Sequence, residues 1–179
     1  MLTIRTRILQ VILSSMLLAS MTYSYAADTE PGASASSKAL TSKHFVTTAA
    51  ADGLFEVEAG KLAVERATRP EVKTFANRMV TDHSAANEKL ESLAKAQNIT
   101  VPKKLDAKHA AKLAELKAKN GAEFDNAYVA AMTEGHHKAV ALFTAATSSP
   151  EVDASLKDFA QQTLPTLQDH NSKVQQLHH

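Results

Sequence analysis

The chain has 179 residues, with 20 basic and 19 acidic side chains, eight histidines and no cysteine. The missing cysteine excludes disulfides, thiolate metal ligands, thiol nucleophiles and lipid attachment through a thiol. Near-neutral charge leaves no clustered basic face for nucleic acid, so no nucleic-acid partner is expected.

Arg5 and Arg7 precede an apolar run from Ile8 to Leu18, and Ser24-Tyr25-Ala26 sets small residues where signal peptidase reads. Residues 1–26 are therefore expected to be a cleaved signal peptide and the periplasm the destination; an uncleaved anchor is the alternative use of this segment. The run is shorter than the roughly 20 residues of a spanning helix, so no stable membrane span is expected after cleavage. Cleavage takes away two basic residues and no acidic one, leaving 18 against 19 and a net charge of −1. Residues 27–40, small and polar with Pro31 and Gly32, read as a disordered linker. Residues 41–177 are long enough for one core.

From Thr41 on the periodicity is helical, and with only five prolines and five glycines no sheet is expected. A first helix is predicted from Thr41 to Ala67, with Val46, Ala50, Leu54, Val57 and Val64 at helical spacing. Thr68-Arg69-Pro70 breaks it, because proline suits the first turn of a new helix and disfavours helix just before it. A second helix follows from Pro70 to Gln97, with Val72, Phe75, Met79, His83, Ala86 and Leu90 on one face. Asp106 to Lys119 reads as a short, exposed crossover helix with His109 solvated. A third long helix from Gly121 to Ala146 aligns Phe124, Tyr128, Met132, His136, Val140 and Phe143. The last, from Pro150 to Leu177, aligns Leu156, Phe159, Leu167, His170 and Val174, with Pro165 inside it as a kink. The expected fold is all-α, a four-helix bundle of two antiparallel helical hairpins joined by a short crossover helix.

A weak repeat relates the hairpins. Pro70-Glu71-Val72 recurs as Pro150-Glu151-Val152, Phe75-Ala76 as Phe159-Ala160, and Asp82-His83 as Asp169-His170. Counting back 14 residues from each proline reaches Glu56 and His136. His83, His136 and His170 thus lie on apolar faces of three helices, and the register favours Glu56 over Glu58 as their acidic partner. Glu56 also shares a face with Ala49, Gly53, Gly60 and Ala63, whose small side chains leave a carboxylate room to cross the bundle. Imidazoles and carboxylates are seldom buried unpaired, so the four are expected to meet.

Several stretches resemble a known family. They are Gly53-Leu54-Phe55-Glu56-Val57-Glu58-Ala59-Gly60, Val72 through Phe75-Ala76 to Thr81-Asp82-His83, Tyr128 with His136, and Leu164-Pro165-Thr166-Leu167-Gln168-Asp169-His170. Together they are similar to the DUF4142 family, exported bacterial domains of unknown function in the ferritin-like superfamily. The resemblance implies a ferritin-like bundle, export, and Glu56, His83, His136 and His170 as polar core positions.

A di-iron site of the ferritin type uses Glu-x-x-His on two helices. Val80, Thr133 and Leu167 stand three residues before the three histidines, so bridging carboxylates are lacking and at most one metal is expected. Glu56, His83, His136 and His170 are the candidate ligands, a set that suits zinc, copper, iron or nickel. The same four residues could instead form a metal-free polar layer that fixes helix register. Asp82, Asp169, Tyr128 or Asn87 could orient a histidine from behind. No nucleophile motif, phosphate loop or cofactor fingerprint appears, which argues against an enzyme. Two function classes stay open: a periplasmic bundle holding one metal ion, and a metal-free structural or interaction module with an envelope protein as partner.

Overall fold

In a computed structural model the described residues are 39–178, so the signal peptide and nearly all of the linker expected from sequence lie outside them. Five helices and no strand occupy the described residues: α1 (Ser42–Arg66), α2 (Pro70–Ala96), α3 (Ala107–Lys117), α4 (Gly121–Ser148) and α5 (Ala154–Gln175).

Local chemistry places the helix ends. Thr41 caps α1 by accepting from the His44 amide, and Asp106 caps α3 by accepting from the His109 amide at 2.8 Å. Pro70 opens α2, where its missing N–H costs nothing. Pro165 sits inside α5 without ending it.

The last helix begins four residues later than its repeat partner predicts. Pro150-Glu151-Val152 forms a turn, and Asp153 caps α5 by accepting from the Ser155 amide at 2.9 Å. Contacts with the chain just before and at the start of α1 hold that turn. The Asp153 amide donates to Ser42 Oγ at 2.8 Å, and Ser149 Oγ donates to the Leu40 carbonyl at 2.7 Å.

Two contacts define the direction of the helices. The start of α1 meets the start of α5 through Ser42 and Asp153. The start of α2 meets the start of α4 where Asp125 accepts from the Thr68 and Arg69 amides, at 3.0 and 2.9 Å. Hence α1 runs parallel to α5 and α2 parallel to α4, and the α2–α4 connection must travel the length of the bundle. That is the ferritin-like arrangement of two antiparallel hairpins, with α3 lying in the crossover.

The crossover helix is not exposed all round. His109, Leu113 and Leu116 are buried on its inner face, so the expectation of a solvated His109 is corrected. Its ring packs 5.4 Å from Phe55, with Nε2 3.1 Å from Asp52 and Nδ1 3.0 Å from Asp106.

The apolar core falls into two clusters. One gathers Phe75, Met79, Phe124, Tyr128 and Met132 at the α1–α2 turn; the other gathers Phe45, Leu90, Phe143, Leu156 and Phe159 at the opposite end. A buried polar layer lies between them. Among the described residues no helix is long and apolar enough to cross a membrane.

Candidate functional site

Each long helix sends one buried polar residue into that layer: Glu56 from α1, His83 from α2, His136 from α4 and His170 from α5. The four residues singled out by spacing and register do meet. Glu58 instead faces out and pairs with Lys61 at 2.8 Å.

The three imidazoles form a triangle, with ring centroids 5.3 to 5.4 Å apart. One ring nitrogen of each lies within 4.8 Å of one from each of the other two. The opposite nitrogen of every ring is held by the protein. His83 Nδ1 lies 3.0 Å from Glu56 Oε2, and His136 Nδ1 donates to the Met132 carbonyl at 2.9 Å. His170 Nε2 lies 2.8 Å from Asp82 Oδ2. The remaining nitrogens, His83 Nε2, His136 Nε2 and His170 Nδ1, are buried and find no partner in the protein. Left without any partner, each such atom would cost about 1–3 kcal/mol, a cost that a cation or water bound among the rings would remove.

Glu56 reaches the cluster from behind. Besides holding His83, its other oxygen Oε1 stands 3.7 Å from His136 Nδ1 and has no hydrogen-bond partner. The carboxylate therefore touches the back nitrogens of two rings. Gly135 makes room for it, since a Cβ there would come 3.3 Å from Oε1. A Cβ at Gly53, one turn before Glu56 on α1, would meet the amide of Asn87, a half-buried side chain that can turn aside.

Electrostatics separates the rings. Burial disfavours charge on Glu56, but His83 and His136 more than offset it and hold the carboxyl below its ordinary value. Burial likewise opposes charge on His83, which Glu56 overcomes, raising that ring. Burial prevails at His136, which is lowered, and at His170, pushed down to about 4 despite Asp82. His136 and His170 are thus neutral near pH 7, the form that can donate a lone pair.

Of the four residues considered as orienting groups, Asp82 alone takes that role, toward His170. Arg78 in turn holds Asp82, with Nε 3.1 Å from Oδ2, and ties it to Asp169 through Nη1 at 2.6 Å. Asp169 pairs with Arg78 and Lys173 at the surface, Asn87 covers Gly53, and the buried Tyr128 hydroxyl has no partner. Asp125, fully buried, is not among the residues that spacing and register single out. Its position one turn before Tyr128, on the apolar face of α4, is the signal that could have found it. His109, likewise, shares a helical face with Leu113 and Leu116.

Fold and site together define a helical-bundle protein with a buried three-histidine cluster. The model described as Domain of unknown function (DUF4142) matches residues 27–177, and the chain belongs to that family. No curated protein sequence matches it. Several solved structures share the fold at low identity. A DUF305 fragment from Deinococcus radiodurans is 14% identical at a TM-score of 0.66, covering 76% of this chain and 93% of that one. A putative secreted DUF305 protein from Streptomyces coelicolor is 14% identical at 0.64, covering 76% and 90%. CopM in the Cu(II)-bound form is 15% identical at 0.65, covering 78% and 97%.

Proposed function

We propose that this is an exported bundle protein that holds one transition-metal ion between His83, His136 and His170. The observation that carries this reading is the division of labour in each ring, one nitrogen fixed by the protein and the other buried and unpaired, in three rings that each bring a nitrogen within 4.8 Å of the others. A layer serving only to fix helix register gains nothing from three unpaired nitrogens, whereas metal-binding imidazoles customarily have their second nitrogen fixed in this way. An ion bonding nitrogen at about 2.0–2.1 Å draws its ligands to roughly 3.4 Å from one another. The ring nitrogens, within 4.8 Å of one another, would close on such an ion by at most about 1.4 Å.

Glu56 in this reading is not the fourth ligand that the sequence favours. It fixes His83 in the tautomer that frees Nε2, and its negative charge beside two rings favours a cation in the cluster. Three imidazoles suit copper, zinc, nickel or iron. CopM, similar in fold, was solved with Cu(II), which makes copper(II) the first ion to test. Residues 1–26 would direct the protein to the periplasm and residues 27–40 would set the bundle apart from the cleavage site. Storage, buffering or redox protection in the envelope fits a single buried ion.

The test is metal content after equilibrium dialysis of tag-free protein against copper(II) and zinc(II). One ion per chain is expected in the wild type and none retained when His83, His136 and His170 are all changed to alanine. Equal, substoichiometric metal in both proteins would sink the proposal.

A further inference from the structure

We propose that the three-histidine centre leaves one coordination position open toward a narrow cavity between the helices that admits a ligand of roughly two or three heavy atoms, of the size of dioxygen or azide. This inference rests on the metal reading above and specifies what the bound ion can meet.

The two sides of the cluster differ. On one, the Phe75 ring stands 6.3 Å from both His136 and His170, backed by the fully buried Met79 and Met132. On the other lies a cavity of about 40 Å³, with His83 and His170 in its wall. All four long helices contribute to it. Its walls include Ala49, Ala86, Leu90, Ala139, Phe143 and Phe159. Three alanines occur where a bundle core ordinarily uses larger side chains, and this is what keeps the space open. The enclosed part of that space holds a few waters or a di- or triatomic molecule, while its rim, at Asp52, Asn87 and Thr166, is half-exposed. Its wall is apolar over most of its area and its charged members are the carboxylates Asp52, Glu56 and Asp82, so multiply charged anions are disfavoured. Metal centres with three protein ligands commonly leave the next position to water or an exogenous ligand, whereas closed structural sites use four.

Azide is the probe. Titrated into protein carrying one copper(II) per chain, it should produce a saturable ligand-to-metal charge-transfer band. Imidazole, a bulkier nitrogen donor, should leave the copper spectrum unchanged. Ala86→Leu and Thr163→Leu fill the cavity from α2 and α5; each should retain copper while azide affinity falls roughly tenfold or more. Absence of an azide band in copper-loaded wild type overturns the open position alone. Undiminished azide binding in folded, copper-loaded variants also overturns it, as does imidazole binding as readily as azide in the wild type, a comparison that needs no variant. Wild type that retains no copper overturns the metal reading and this inference with it.

Discussion

The rings of His83, His136 and His170 are each positioned by a different acceptor, and this makes the acceptors separable by mutation. Glu56→Gln preserves shape and an oxygen for His83 Nδ1 but removes the charge. Copper affinity is expected to fall roughly tenfold with the three-imidazole coordination intact, and Asp82→Ala, which releases His170, should cost between about tenfold and a hundredfold. Isothermal titration gives the affinities and the copper spectrum reports coordination. Loss of one donor from the spectrum of Glu56→Gln would show that the carboxylate binds the ion directly. Gly60→Ala tests close packing: the new methyl would come 2.9 Å from Val80 Cγ2 and 3.3 Å from the Ala76 carbonyl, and a loss of about 1–3 kcal/mol is expected by chemical denaturation, partly restored by adding Val80→Ala. At this scale much was legible, because His83, His136 and His170 fall on apolar stripes and Glu56 lies at the repeat position of His136. Which nitrogen of each ring would be free was not, since it depends on contacts such as Asp82 with His170 that cross between helices 88 residues apart.

Helix ends show the limits of reading a chain from its neighbours in sequence. The breaks at Thr68-Arg69-Pro70 and Ser148-Ser149-Pro150 were visible because proline acts locally. Their stabilisation was not. Arg69 supplies no side-chain cap to α2, and Asp125, from a distant helix, accepts from Thr68 N, Thr68 Oγ1 and Arg69 N instead. Burial opposes its charge, but Thr68 and Arg69 prevail and lower its carboxyl below the usual value. Asp125→Ala should therefore lose about 2–4 kcal/mol of stability in thermal or denaturant unfolding, since it leaves two amides and a hydroxyl without their acceptor. A loss below about 0.5 kcal/mol, the range of ordinary surface changes, would contradict this role. The second hairpin departs from the first for a related reason: Ser42, Ser149 and Asp153 hold Pro150-Glu151-Val152 as a turn, so the repeated tripeptide begins a helix in one half and a loop in the other.

Across the whole molecule the polar layer makes stability depend on pH. The unfolded chain binds a proton at His170 near its ordinary value of 6.5, the folded protein only near 4. Between those values the folded state holds fewer protons, so stability falls as pH drops through the window. His136, lowered by burial, acts in the same direction. His83, raised by Glu56, acts oppositely, its contribution present at low pH and lost as pH rises through its raised value. Two lowered rings against one raised ring predict that metal-free protein melts at a lower temperature at pH 4.5 than at pH 6.5, which a thermal scan at the two pH values checks; the reverse order would contradict the assigned ring environments. Copper should steepen the fall, because its ligands must be deprotonated.

The bundle itself was readable from four apolar stripes and two proline breaks, and its ferritin-like order from the long connection around α3. The cavity beside the histidines was not, because Ala49, Ala86 and Ala139 look like ordinary helix formers until four helices bring them together. The central claim is that three imidazoles share one ion, and X-ray absorption at the metal edge of copper-loaded protein tests it most directly. Three imidazole donors at about 2.0–2.1 Å in the wild type, lost in the triple-alanine variant, is the predicted result. A first shell with one imidazole or none, or one unchanged in that variant, would contradict it.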